Sequence, residues 1–202
     1  MTELSESVSR MIREFEKLPG LGKKSAERIA YHLLKIETQE ALALADSIRA
    51  VKENVRYCKQ CFNLTEDELC EICRDPNRNQ MVLCVVEQPQ DLIRLENTGR
   101  YDGLYHVLLG RLAPLDKITP DQLTITALVD RIRAGTFGEI VMGTNPTTEG
   151  DSTAYYIIGL LKPLPNKPKI TRLARGITTG SDLQFVNSEM LADALSERQE
   201  IR

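Results

Sequence analysis

The 202-residue sequence has no long apolar run, although 42% of its residues are hydrophobic. The longest such runs, from Met81 to Val86 and from Tyr155 to Leu161, are far shorter than the roughly 18 residues that a transmembrane helix needs. The first residues, Met1 to Glu6, also lack the basic segment followed by an apolar one that begins a secretory signal. We therefore expect a cytoplasmic protein with no membrane segment.

The sequence also lacks an excess of basic residues, since its formal net charge is −3. This charge argues against a protein that is coated with cations, but it allows a local basic patch. Between residues 17 and 35, five cations stand against one acid, Glu27, which gives a local charge of +4. The cations are Lys17, Lys23, Lys24, Arg28 and Lys35.

Three segments near the start of the chain carry apolar residues at helical spacing. They predict helices over about 4–17, 23–35 and 38–55, with Thr38 as the N-cap of the third. The third helix is expected to turn one apolar face inward, formed by Leu42, Ala45, Ile48 and Val51.

From residue 81 the pattern changes to apolar strands that alternate with helices. Such a pattern is typical of an α/β protein whose parallel sheet is covered on both faces. A further strand over about 183–187 and a last helix, capped by Ser188 and ending near Arg198, are expected beyond it. The strands are predicted at about 81–86, 104–109, 139–143 and 169–174, and the helices at about 89–95, 120–133 and 149–161.

The turn between the first two helices, from Leu18 to Gly22, contains two glycines and is followed at once by two lysines. Glycine allows a tight turn and a close approach of the backbone to another surface, and a helix start presents unpaired N–H groups to an anion. This turn resembles the helix-hairpin-helix motif of proteins that bind DNA without reading its sequence. The candidate DNA-binding residues are Gly20, Gly22, Lys23, Lys24 and Arg28; the alternative is a tight turn with solvated lysines.

Four of the five cysteines form two Cys-x-x-Cys pairs: Cys58 with Cys61, and Cys70 with Cys73. In a reducing compartment, such spacing indicates a metal site rather than disulfides. Four thiolates suit one structural zinc ion and leave no open position for catalysis; two redox pairs are the alternative. The fifth, Cys84, lies in an apolar strand and is expected in the core.

Three acids follow predicted strands of the α/β region: Glu87, Glu149 and Asp151. The carboxyl ends of parallel strands are where such sheets place their sites, and clustered carboxylates can hold Mg²⁺. The arrangement resembles the Toprim fold of topoisomerases, primases and some nucleases, but Glu149-Gly150-Asp151 stands where those enzymes have Asp-x-Asp. We interpret the acids as a face for a protein partner, with weak magnesium binding or a small magnesium-dependent nuclease as alternatives.

Three stretches give the chain a resemblance to the RecR family from about residue 5 to 200. They are Tyr105 to Asp116, Asn145 to Ala154, and Arg172 to Ile177; after the last, Thr178-Thr179 stands where the family usually has Pro-Val. His106 belongs to the first stretch and is expected to be structural. The resemblance implies four regions: a helix-hairpin-helix region (1–57), a zinc finger (58–80), a Toprim domain (81–176) and a C-terminal strand and helix for oligomerisation (177–202).

The resemblance also implies a function. It implies a non-catalytic clamp and adaptor in recombinational DNA repair that acts with RecO and RecF to promote RecA loading onto single-stranded DNA. It further implies a ring-shaped tetramer, in which several basic hairpins would bind single- and double-stranded DNA through avidity. Such binding is expected to be independent of DNA sequence and to weaken with added salt.

A zinc-ribbon protein that binds RNA is a third, weaker hypothesis.

Overall fold

The computed structural model describes residues 5–165, 167–177, 180–196 and 198. The chain divides into two compact units, residues 1–55 and 56–202. The first unit contains three helices: α1 (Glu6–Glu16), α2 (Lys23–Leu33) and α3 (Thr38–Asn54). No helix in the described part of the chain has the length and apolar character needed to cross a bilayer.

The core of the first unit lies between α1 and α2. Ile12, Ala26 and Ala30 are buried there, with Val8 and other apolar side chains of α1 packed around them. The two alanines follow one another at i and i+4 on α2, and their small side chains allow α1 to approach closely. The helical periodicity of these two segments is therefore confirmed.

The prediction that α3 turns an apolar face inward is wrong for the single chain. No residue of this helix is buried, and Leu42, Ile48 and Val51 are 57%, 58% and 57% exposed. The described residues of the first unit do not cover this face, and periodicity alone shows only that a helix has an apolar face, not that the chain buries it. The N-cap is also Glu37 rather than Thr38, which is the first helical residue.

The second unit begins with a short antiparallel hairpin and continues into a four-stranded parallel sheet. The sheet has the order β4-β3-β5-β6, and each neighbouring pair is parallel. This confirms the predicted α/β class. The hairpin strands are β1 (Arg56–Tyr57) and β2 (Leu64–Thr65), followed by α4 (Glu71–Arg74); the sheet strands are β3 (Asn79–Val86), β4 (Gly103–Val107), β5 (Glu139–Met142) and β6 (Lys169–Arg172), and the helices are α5 (Pro89–Glu96), α6 (Ile125–Ala134) and α7 (Thr148–Leu161).

Both faces of the parallel sheet are buried. One face packs Leu83, Val85 and Ile140 against apolar residues of α6 and α7. The other face contains Cys84, which is only 2% exposed as expected, together with residues of α5. Burial on both sides explains why β3 is continuously apolar from Val82 to Val86, whereas the edge strand β6 is only partly buried and has one apolar residue, Ile170.

The C-terminal region departs from the prediction. Leu183–Phe185 forms a 3₁₀ turn instead of a strand, and Leu183 and Phe185 are 62% and 81% exposed. The last helix, α8, spans Ser188–Ser196, but Asn187 caps it, because its Oδ1 accepts a hydrogen bond from the Met190 N–H at 2.8 Å. Thr178 and Thr179 lie outside the described residues.

Candidate metal centre and nucleic-acid interface

The four cysteines of the two Cys-x-x-Cys pairs converge on one point. Their sulfur atoms all lie within 4.8 Å of one another, and they form the only group of metal-binding type found in the described part of the chain. The Sγ atoms of Cys61 and Cys70 are 3.5 Å apart. Since a tetrahedral zinc site has Zn–S bonds of about 2.3 Å and therefore S···S distances of about 3.8 Å, the cluster fits one zinc ion.

The local backbone explains how the chain brings the sulfurs together. The hairpin bends sharply at Phe62, whose φ of 62° is positive, and Cys58 N–H donates to Asn63 O at 2.7 Å to close the turn. Backbone N–H groups point at two of the sulfurs: Asn63 N–H at Cys61 Sγ (3.5 Å) and Cys70 N–H at Cys58 Sγ (3.4 Å). Such bonds stabilise thiolates, which are the form that binds zinc.

The sulfurs also influence one another. Hydrogen bonding with Cys61, and then with Cys73, lowers the pKa of Cys70 to about 2. The same hydrogen bond, with Cys70, raises the pKa of the Cys61 thiol. The cluster therefore already favours a thiolate at Cys70.

The finger, defined here as residues 56–75, is docked on the α/β region through contacts that the sequence did not predict. The Val107 N–H at the end of β4 donates to Cys61 O at 2.8 Å, and Arg131 Nη1 of α6 donates to Gln60 O at 3.3 Å. The Phe62 ring meets the His106 ring edge-on, with centroids 5.3 Å apart. No spacing rule links these residues to the cysteines, because the contacts depend on the tertiary fold.

His106 is fully buried, and its Nε2 lies 3.0 Å from Thr124 Oγ1 and 3.2 Å from Thr124 O. Burial, and then the charge of Arg131, lowers the pKa of His106 to about 3. The ring is therefore neutral and out of solvent at physiological pH. This environment supports the structural interpretation of His106.

The candidate DNA-binding residues lie together at the start of α2. Gly20, Gly22, Lys23, Lys24 and Arg28 are all exposed. Gly20 has a φ of +81°, while Gly22 is the N-cap of α2 with extended backbone. The first bonds of the helix run from the N–H groups of Ser25 and Ala26 to Gly22 O, so the N–H groups of Lys23 and Lys24 precede them and have no partner among the described residues.

The basic patch is weaker than its sequence count suggests. Lys17 Nζ pairs with Glu14 Oε1 at 2.7 Å, and both side chains are exposed. Glu14 lies outside the segment from 17 to 35, so it was not part of the +4 sum. Lys24 and Arg28 are at i and i+4, which places them on the same face of α2. These two cations and Lys23 therefore carry the positive charge in the first turns of α2, next to the glycine turn.

Glu87 is not part of an exposed acidic face, which corrects that prediction. Its side chain is buried, and both of its oxygens accept hydrogen bonds from Asn145: Oε1 from the backbone N–H and Oε2 from Nδ2, each at 2.8 Å. Gly150 is required beside it, because a Cβ there would lie 2.1 Å from Asn145 O and 2.8 Å from Glu87 Oε1. Glu87 thus joins β3 to the loop after β5.

The other two acids have different surroundings. Asp151 forms an ion pair with Arg175, which also approaches Asp193 Oδ2 of α8 at 4.0 Å. Hydrogen bonding with Asp151 raises the pKa of Arg175. Glu149 is exposed. Within the described residues, therefore, Glu87, Glu149 and Asp151 do not converge as a metal-binding set.

Comparison with known proteins accounts for almost the whole chain. Residues 8–52 match the family described as RecR, helix-hairpin-helix, residues 55–75 match the RecR zinc finger domain of the four-cysteine type, and residues 81–174 match the Toprim domain. A relative from Rhodopirellula baltica named Recombination protein RecR is 58% identical over 195 residues, which cover 96% of this chain and 97% of the relative.

Proteins of the same name from other bacteria are also similar to this chain over nearly its full length. The relative from Chloroflexus aggregans is 47% identical over 198 residues, covering 98% of this chain and 96% of the relative. The relative from Geobacter sulfurreducens is 47% identical over 201 residues, which cover about 100% of this chain and of the relative. The chain therefore belongs to the RecR family of recombination proteins, which act in DNA repair.

Proposed function

We propose that the chain is a non-catalytic DNA clamp and adaptor that works in the cytoplasm with RecO and RecF to promote RecA loading onto single-stranded DNA. The observation that carries this proposal is the exposed turn from Gly20 to Lys24, which combines unpaired backbone N–H groups with two lysine side chains. Groups of this kind bind phosphate and do not read base sequence.

DNA binding is tested by removing the two lysines. Replacing Lys23 and Lys24 with alanine is expected to weaken binding of single- and double-stranded oligonucleotides at least tenfold at low salt, measured by fluorescence anisotropy. The matched control replaces Lys52 and Lys162, two exposed lysines outside the 17–35 segment of the sequence, and is expected to retain binding. Equal affinity of the two double variants would show that the turn is only structural.

The salt dependence of binding gives a second measure of the same contacts. Each phosphate contact that is lost reduces the slope of log affinity against log salt by roughly 0.7 to 0.9. The Lys23 and Lys24 variant is therefore expected to have a shallower slope than the wild type, whereas the control keeps the wild-type slope. A change in affinity without a change in slope would point to misfolding.

We propose that the four cysteines hold one structural zinc ion per chain. The distances between the sulfurs and the N–H groups that point at them support this proposal. Zinc would brace the finger and take no part in chemistry, because four protein ligands close its coordination sphere. Elemental analysis of freshly purified protein is expected to give one zinc per chain, and a metal content near zero would overturn the assignment.

We also propose that the chain has no catalytic activity of its own. This proposal is supported by the Asn145 contacts of Glu87 and the Arg175 ion pair of Asp151, which leave Glu149 alone as a solvated acid among the three. A plasmid-nicking assay with Mg²⁺ or Mn²⁺ is expected to show no cleavage. Metal-dependent cleavage that disappears in Glu149→Ala would establish the nuclease instead.

We propose that the chain assembles into a ring-shaped tetramer through the N-terminal helices and the C-terminal region. Both regions expose large apolar side chains: Leu44, Ile48 and Val51 on α3, and Leu183, Phe185 and Leu195 near the C-terminus. Exposed apolar patches of this kind mark interaction surfaces.

Glu149 remains our candidate for contact with RecO or RecF, and Glu149→Arg is expected to weaken at least one of these complexes.

A further inference from the structure

Arg131 is a side chain of α6 that forms a hydrogen bond with the finger. Its Nη1 donates hydrogen bonds to Tyr105 O at 2.7 Å and to Gln60 O at 3.3 Å. Gln60 immediately precedes the cysteine at position 61 in the first Cys-x-x-Cys pair. The guanidinium carbon also lies over the Phe137 ring, 5.8 Å from its centroid.

Much of the hydrogen-bonding capacity of this guanidinium is unused. The Nε and Nη2 atoms are buried and have no hydrogen-bond partner among the described residues. An arginine is always charged in proteins, and burying a charge without a counter-charge is unfavourable. The position of Arg131 therefore requires negative charge nearby.

The four cysteines are the source of that negative charge. Burial lowers the pKa of Arg131, and the charges of all four cysteines oppose this effect. Four thiolates around one Zn²⁺ leave a net charge of −2, which a nearby cation would stabilise. Arg131 is thus a cation placed beside an anionic site.

We infer that Arg131 is the counter-charge of the tetrathiolate zinc site and couples metal binding by the finger to its docking on α6 and β4. The inference rests on the proposed zinc ion. Groups just outside a metal's ligand shell typically change its affinity by about 10- to 100-fold when they are removed. The contribution of Arg131 is expected to lie in this range, since its side chain is partly buried and partly buried charges are screened much less by salt than exposed ones.

Three variants separate charge from hydrogen bonding. Arg131→Gln removes the charge, Arg131→Lys keeps it but loses the planar fork, and Arg133→Gln is the control, because Arg133 is exposed on the same helix and pairs only with Asp130 in the described contacts, at 2.8 Å. Zinc affinity of the full chain is measured under reducing conditions by competition with a chromophoric chelator. We expect a loss of at least tenfold for Arg131→Gln and less than threefold for the other two.

Cobalt substitution distinguishes a lost charge from a loosened finger, because the wavelength of the cobalt absorption band depends on the charge near the sulfurs and not on how tightly the finger is docked. With Co²⁺ in place of zinc, the thiolate-to-cobalt charge-transfer band is expected at longer wavelength in Arg131→Gln, because the sulfur electrons lose the stabilising field of a nearby cation. Arg131→Lys and Arg133→Gln are expected to keep the wild-type band. Far-UV circular dichroism and the thermal midpoint check that each variant is folded.

The outcomes are distinct. If wild-type protein binds neither zinc nor cobalt, the zinc assignment fails. If wild type binds zinc and Arg131→Gln matches it in affinity and band position, the counter-charge inference fails alone. Equal losses in Arg131→Gln and Arg131→Lys would assign Arg131 to docking through hydrogen bonds and would also overturn it. Should Arg131→Gln not fold, an affinity loss above threefold in Arg131→Lys decides against the inference.

Discussion

Gly20 and Gly22 lie two residues apart, but their backbones make different demands. Gly20 has a φ of +81°, a conformation in which a side chain is strained. Gly22 is extended with a φ of −87° and caps α2, so other residues could adopt its backbone. The glycine at 20 therefore serves the turn, whereas for the glycine at 22 we propose that it allows close approach by a phosphate.

Serine at each glycine separates these roles. Gly20→Ser is expected to destabilise the turn by about 1 to 2 kcal/mol, and amides at the start of α2 would then exchange with solvent about fivefold or more faster. Gly22→Ser should keep or increase their protection, because serine is a good N-cap, yet it should weaken DNA binding. Hydrogen exchange and anisotropy measure the two effects; equal destabilisation by both variants would contradict the assignment.

His106 makes the stability of the fold depend on pH. Its folded pKa of about 3 is below its ordinary value of 6.5, so unfolding takes up a proton between these values. The contribution to stability is complete above pH 6.5 and is lost as the pH falls toward 3, with a slope of about 1.4 kcal/mol per pH unit.

Replacing the histidine tests this dependence. His106→Gln is expected to be less stable at pH 7.5, but its stability should fall less steeply between pH 6.5 and 5 than that of the wild type. Urea denaturation at saturating zinc measures both slopes, with His32→Gln as the control because His32 is exposed. Parallel slopes for wild type and His106→Gln would show that the buried ring does not control this pH range.

Glu87 shows the limit of sequence reasoning at this scale. Its place at the end of β3 could be predicted from the apolar run before it. Its burial could not, because that depends on Asn145, 58 residues later, folding back to donate two hydrogen bonds. The cysteine cluster was predictable because ligands of one metal follow short, regular spacings.

Among the elements, predictions succeeded where a segment's own periodicity decides its structure. The strand from Asn79 to Val86 and the helix from Thr148 to Leu161 were found within two residues of their ends. The segment from Leu183 to Phe185 was misread as a strand, since a short apolar run does not reveal whether a partner strand is available. The apolar face of α3 was likewise assigned to the interior, because periodicity does not show whether another element covers a face.

The finger is the element whose folding should depend most on metal. Its own buried cluster consists mainly of cysteines, with Leu69 and Ile72 packed against them, which is too small a core to be stable alone. Removal of zinc with a chelator is expected to speed amide exchange across residues 56–75 while β3 and β5, the central strands, keep their protection.

Restoring the metal provides the control for that experiment. Added zinc should return the exchange rates of the finger to their starting values, whereas Mg²⁺ should not, since thiolates prefer zinc. Exchange that is unchanged by the chelator in protein shown to have lost its zinc would mean that the docking contacts hold the finger without the ion.

At the scale of the whole molecule, the exposed stripe of Leu44, Ile48 and Val51 is the main candidate for a subunit interface. These residues follow one another at i, i+4 and i+7 along α3 and lie on one face. Ile48→Glu is expected to lower the mass measured by light scattering, because a carboxylate would be buried in the interface. The helix itself should remain folded, since Ile48 is 58% exposed in the single chain.

Gln39→Glu is the matched control, because it adds the same charge to an exposed position elsewhere on α3. We expect it to retain the wild-type mass. An unchanged mass for Ile48→Glu would exclude this stripe as an interface and leave the C-terminal region, around Phe185, as the remaining candidate.

The hydrogen bond from Val107 to Cys61 has a consequence for solubility. β4 is an outer strand of the sheet, and an uncovered strand edge is a template for strand addition by another chain. Here Val107 N–H donates to Cys61 O and Val107 O accepts from Thr124 Oγ1 at 2.7 Å, so the edge is blocked. A chain that loses its finger would uncover this edge, and oxidation of the thiols would therefore favour aggregation.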